Sequence, residues 1–407
     1  MTSPLLGAAD VLYCGLHKAL QPNEERWFRE GYGDLPVYER RAAELMREWQ
    51  RDGLSSLDRK LAIEWSRAAS NDPAVRLDEG SFASPLAADL PEGPTRTARF
   101  LFVRAVPGGK LPRTKSVVVI MAATGVTDYE GRDATMARPL LEHGIASFIV
   151  MPPFNGTRSP PGQTKHYISN VADYLRQTLA IMLEGAVLLR LVSSGFQVGE
   201  NESYSKLTPA VAGISWGGAM ASLAALVSRR QVACMIGLGA VCPRAMATGA
   251  IRWQLDWEAL RRERSHTQQQ AALYLTEIFS RYTFETLLAM RPDGQATIGA
   301  VVQVAARHDH YVVASEAEQL HAALVPAVRK EGVCRLHWVD GGHVTAIATE
   351  SRTFVPPCVE AIRAMESLDF SASPSSKSTM KTIMLFVIFC ACLAMLLASG
   401  YGIYSRV

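Results

Sequence analysis

Between residues 98 and 365, short apolar runs alternate with longer stretches in which apolar residues recur every three or four positions. Residues 116–122 (Ser-Val-Val-Val-Ile-Met-Ala) form a continuous apolar run, as a strand buried on both faces requires. Residues 98–106, 146–151, 210–214, 233–238, 298–305 and 333–339 read as further strands. Helical spacing predicts helices over about 134–143, 171–192, 217–227 and 359–365. This rhythm predicts an open, mostly parallel sheet with helices on both faces. Ahead of it, residues 1–90 read as a polar, helix-rich extension, with helical spacing over 38–51 and an exit punctuated by Pro85, Pro91 and Pro94. The amphipathic stretch 251–290 interrupts the rhythm between two late strands, which is where a lid over a site would sit, at about 250–292. The chain shows no internal repeat.

The C-terminal pattern is different. No charged residue occurs from Thr382 to Tyr404, and Leu, Ile, Met, Phe, Val and Ala dominate. About 20 helical residues at about 1.5 Å each span a bilayer core of about 30 Å. Lys377 and Lys381 precede the run, Arg406 follows it, and the Ser-rich stretch 371–381 reads as a flexible linker. The N-terminus makes a poor signal peptide, because Asp10 breaks its apolar stretch and no basic leader precedes it. These features predict a single-pass tail anchor at 382–404. The part before it, 91–370, is then expected to face the cytosol from the mitochondrial outer membrane or the endoplasmic reticulum. The sequons at Asn155 and Asn201 would then never meet the glycosylation machinery.

Composition narrows the function. With 48% hydrophobic and 20% charged residues, a large core can be buried and wholesale disorder is excluded. The 42 Lys and Arg nearly balance the 39 Asp and Glu, so nucleic acid is not the expected partner. Seven scattered cysteines without zinc spacing argue against a disulfide scaffold and a metal centre, and suit a reducing compartment. No cofactor is expected.

The sharpest chemical signal is Gly213-Ile214-Ser215-Trp216-Gly217, which follows an apolar strand and opens a helix. A turn sharp enough to lift a serine hydroxyl clear of the backbone needs almost no side chain two residues to either side, and Gly213 and Gly217 supply that room. A serine nucleophile needs a base, and the base needs an acid to orient it. After such an elbow the acid follows a late strand and the histidine follows the last one. Asp309, in Arg307-His308-Asp309-His310, stands in the acid's place, and His343, in Asp340-Gly341-Gly342-His343, stands in the base's place. Asp340 ranks second as acid. His308 and His310 come too early in the order to be the base. His17, His143, His166, His266, His321 and His337 read as structural. The oxyanion hole is expected from the backbone N–H of Trp216 and from Ala123 or Thr124, in the loop after the 116–122 strand.

Met136-Ala137-Arg138-Pro139, the segment from Gly213 to Ser222 and Gly341-Gly342-His343 together resemble the alpha/beta-hydrolase domain-containing 18 family over about residues 90–368. The resemblance implies an alpha/beta-hydrolase fold, a nucleophile at Ser215, an acid at Asp309 and a histidine at His343. This chain departs from the family at the oxyanion loop, where Ala123-Thr124-Gly125 stands in place of Gly-Thr-Gly. The C-terminal run rests on this sequence alone. The leading expectation is a membrane-anchored serine hydrolase acting on an acyl ester, a lipid ester by virtue of its setting. A thioesterase, a peptidase and a non-catalytic scaffold at a membrane are the alternatives.

Overall fold

The structure is a computed structural model that describes residues 5–20, 26–58, 61–163, 165–199, 202–240, 244–281, 283–291 and 296–368. The expected anchor at 382–404, its linker at 371–381 and Asn201 lie outside the described residues. Among the described residues, no helix is long and apolar enough to cross a membrane.

Eleven strands are present among the described residues: β1 (Glu64–Ala68), β2 (Val75–Ala83), β3 (Thr97–Ala105), β4 (Ser116–Met121), β5 (Ile145–Met151), β6 (Phe196–Val198), β7 (Glu202–Tyr204), β8 (Thr208–Ile214), β9 (Ala233–Gly237), β10 (Ile298–Ala306) and β11 (Val328–Val339). Nine of them form one sheet in the order β1-β2-β3-β5-β4-β8-β9-β10-β11, and β6 and β7 make a separate hairpin. From β5 to β11 every neighbouring pair is parallel, while β1, β2 and β3 join antiparallel. This is the mostly parallel sheet of an alpha/beta-hydrolase fold. β4, β5, β9 and β10 are buried at every position, which explains their unbroken apolar runs. Two helix groups cover them. The helices Val171–Ser194 and Trp216–Ser228 pack on each other, and the helix Glu350–Glu366 packs with the short turns between Glu130 and Leu141.

The stretch read as a helical extension is helical only in part. It holds the helices Leu5–Leu20 and Leu35–Asp52, but it also supplies β1 and β2 to the sheet. Charge hid these strands. Asp78 of β2 and Arg104 of β3 are both buried, joined at 2.8 Å, and Arg104 also pairs with Glu202 and Tyr204 of the hairpin. Asp78 in β2, and Glu64 and Arg67 in β1, interrupt the apolar alternation by which a strand is recognised, whereas β3 keeps enough of it to be expected at 98–106.

The resemblance motif Met136-Ala137-Arg138-Pro139 lies on a π turn, Asp133–Ala137, that runs into the helix Arg138–Leu141. Met136 and Ala137 are buried, and Arg138 donates to Asp133 at 2.8 Å. Asn155 is buried, its side chain donating to the Val126 carbonyl at 2.7 Å. That burial would keep a glycan off Asn155 in the folded protein.

Candidate active site

β8 ends at Ile214 and the next helix starts at Trp216, so Ser215 alone makes the turn, at φ 59° and ψ −125°. A side chain at positive φ persists only where its surroundings hold it. The Ser215 N–H donates to the Gly237 carbonyl of β9 at 2.8 Å. A Cβ on Gly213 would collide with the Gly217 carbonyl, and one on Gly217 would lie 2.5 Å from the Met121 carbonyl oxygen. Both glycines are therefore sterically required, because the elbow is pressed against its own helix and against the end of β4.

The loops after β10 and β11 bring Asp309 and His343 to Ser215. Ser215 Oγ is 2.9 Å from His343 Nε2, and His343 Nδ1 is 2.8 Å from Asp309 Oδ2. A carboxylate only accepts, so Nδ1 carries the proton and donates to Asp309. In the neutral imidazole, Nε2 then accepts from the serine hydroxyl. The other oxygen of Asp309 accepts the backbone N–H groups of Tyr311 at 2.7 Å and Val312 at 2.8 Å. Asp340 is not part of this chain: it is 70% exposed and lies 3.4 Å from Arg307 Nε. Through their backbones, His308 donates to the Gly341 carbonyl at 2.9 Å and His310 donates to Asp10.

Trp216 is the first residue of its helix, so its N–H has no carbonyl within that helix to bond. Thr124 shares a cavity wall with Ser215 and Trp216, whereas Ala123 is buried and contributes nothing to that wall. Of the two loop residues expected at the oxyanion position, Thr124 lines the cavity onto which Ser215 opens.

The cavity is large and mostly apolar, with an empty volume of about 1440 Å³ including its open mouth. Its floor follows the elbow helix through Ser215, Trp216, Ala219, Leu223 and Val227. From Trp216 to Val227 this face extends roughly 16 Å, at about 1.5 Å per residue. The N-terminal helix Leu35–Asp52 contributes Tyr38, Ala42, Leu45 and Trp49, which share one helical face. The 251–290 region contributes Ile251, Phe279, Phe284 and Leu287. The Trp49 indole ties these two segments together by donating to the Leu287 carbonyl at 3.2 Å, and Trp27, ahead of the helix, forms a backbone bridge with Leu255.

Sequence reasoning passed over two side chains here. The Tyr311 ring lies against the His343 ring with centroids 4.8 Å apart, and burial is the main cause that pushes its phenol well above the usual range. Glu316 lines the cavity, and burial raises its carboxyl above the ordinary value, with Arg244 opposing and Asp309 adding to the rise. Both follow Asp309 closely in the chain, but neither belongs to a recognisable motif.

Among solved structures, the chain is similar to acetyl xylan esterase 1 from Thermoanaerobacterium sp. JW/SL YS485, at 14% identity and a TM-score of 0.46, over 81% of this chain and 96% of that one. An acetyl xylan esterase from Paenibacillus sp. R4 matches at 14% identity and a TM-score of 0.47, over 82% of this chain and 98% of that one. A cold-adapted esterase from an Arctic intertidal metagenomic library matches at 14% identity and a TM-score of 0.45, over 74% and 99%. Residues 25–288 match a family model that takes in the serine elbow, the helix Leu35–Asp52 and most of the insertion above the cavity. The chain belongs to the family described as alpha/beta hydrolase domain containing 18.

Proposed function

We propose that this protein is a serine hydrolase that cleaves an acyl ester with a long apolar acyl group, of the kind lipids carry. The observation that carries the reading is one chain of hydrogen bonds, Ser215 to His343 to Asp309, standing at an apolar cavity. The serine hydroxyl attacks the ester carbonyl carbon as His343 Nε2 takes its proton. The N–H groups of Trp216 and Thr124 hold the resulting oxyanion, and His343 returns the proton to the departing alcohol. Water, deprotonated by the same nitrogen, then attacks the acyl-serine, releasing the carboxylic acid and restoring the hydroxyl.

The cavity supports the choice of acyl group. A saturated chain with C–C bonds of about 1.5 Å advances about 1.25 Å per carbon, so the floor along the elbow helix matches about a dozen carbons. In this reading the region over 250–292 is the lid, and residues 382–404 anchor the protein to a membrane, which keeps lipid esters close to the site.

The test is labelling by a fluorophosphonate probe together with hydrolysis of p-nitrophenyl esters of increasing chain length. The full-length protein labels and turns over, and Ser215→Ala does neither while keeping its melting temperature. Labelling of Ser215→Ala at the wild-type rate would sink the assignment. Turnover of acyl thioesters in preference to oxygen esters would replace the ester by a thioester.

A further inference from the structure

The helix Leu5–Leu20 lies at the far end of the sequence from the triad, yet its Asp10 carboxylate is fully buried. Oδ2 accepts the backbone N–H groups of His343 at 2.8 Å and His310 at 3.1 Å, and Oδ1 accepts that of Val344 at 2.8 Å. One donor is the triad histidine itself, one is its neighbour, and the third adjoins Asp309. A single carboxylate thus ties the loop that carries the acid to the loop that carries the base. One turn further along the same helix, Cys14 Sγ lies 2.8 Å from the hydroxyl of Tyr311, whose ring rests on His343. Gly342 makes room for this arrangement: its φ is ordinary, at −108°, but a Cβ there would lie 2.6 Å from the Asp10 carboxylate. Asp10 takes no part in the cavity wall.

Resting on the reading of Ser215, His343 and Asp309 as the catalytic triad, we propose that Asp10 is a positioning residue that holds the acid and base loops at the spacing the triad requires. Only an acceptor with two oxygens can take all three N–H groups. An asparagine would turn an N–H₂ toward at least one of them and force the loops apart. A buried carboxylate facing three amide donors also resists movement, because leaving any of them unpaired is costly.

The experiment is steady-state hydrolysis of p-nitrophenyl butyrate by full-length wild-type, Asp10→Asn and Gly342→Ala proteins, with thermal unfolding of each. Asp10→Asn is expected to lower kcat at least about tenfold, given that a 1 Å misplacement can cost roughly a hundredfold. Its KM should stay within about twofold, because Asp10 does not line the cavity. Gly342→Ala leaves the carboxylate in the chain but pushes it off the loops, and should reproduce the loss in kcat. Wild-type kcat in either folded variant would overturn the proposal, as would a rise in KM with kcat intact. Failure of both variants to fold would make Asp10 a residue of the fold and overturn it too. A wild-type protein that neither labels with fluorophosphonate nor hydrolyses the ester would instead defeat the triad reading on which the proposal rests.

Discussion

Each oxygen of Asp309 has its own task. One accepts from His343 Nδ1 and fixes which imidazole nitrogen faces Ser215, while the other accepts two backbone N–H groups and holds the carboxylate in place. In Asp309→Asn the amide would either present N–H₂ to the imidazole or break the turn. The wrong tautomer is expected to lower kcat by about 10⁴-fold, the scale seen when a triad aspartate is replaced. Asp340→Asn removes one side of an exposed pair with Arg307 and should change kcat by less than about twofold, since surface pairs of this kind contribute little. Stopped-flow or steady-state turnover of the two variants side by side decides between the acids. The reversed pattern would make Asp340 the partner of His343. The meeting of Ser215, Asp309 and His343 was legible in the sequence because each follows a strand, with glycines beside Ser215 and His343. Asp10 was not legible. From sequence alone it is a charge interrupting an apolar stretch, and the donors it serves are distant in the chain.

At the scale of elements, helices make most of the cavity wall, and the residues that the helix Leu35–Asp52 contributes recur at helical spacing. The floor helix Trp216–Ser228 was expected at nearly its observed length, and the amphipathic region over 251–290 was expected above the site. The helix Leu35–Asp52 was also legible, but its position over the cavity was not, because an apolar face does not name the surface it will cover. Ala219 lies one turn beyond Ser215 on the floor. Ala219→Phe would fill the cavity there and leave room only for a short acyl group. Each methylene denied burial costs about 0.8 kcal/mol, or about fourfold in kcat/KM. Dodecanoyl esters should therefore lose at least about a hundredfold relative to acetyl esters. Hydrolysis across a series of p-nitrophenyl esters measures this directly. An unchanged chain-length profile would place the acyl group elsewhere.

At the scale of the whole molecule, the described residues up to Glu366 form one compact unit. The proposed anchor predicts that a chain ending at Phe370 stays in the supernatant after alkaline carbonate extraction and still labels at Ser215. The full-length chain should remain with the membranes, because about 20 apolar residues transfer favourably into lipid. Full-length protein in the supernatant would remove the anchor. The contacts that complete the site also decide when it can exist during synthesis. The bonds from Asp10 reach across 300, 333 and 334 residues of chain, and the bond from Trp49 to the roof reaches across 238. At about 5–20 residues per second, Asp10 is made roughly 17 to 67 seconds before the histidine loop it holds. Contacts this distant in the chain also close late in folding, since loop closure must precede them. The nucleophile elbow, built from neighbours between Met121 and Gly237, can form well before its base is held in place. On the proposed function, the nascent chain thus carries a serine without its base until nearly the whole compact unit has been made, so that hydrolysis would wait for the segments that enclose the cavity.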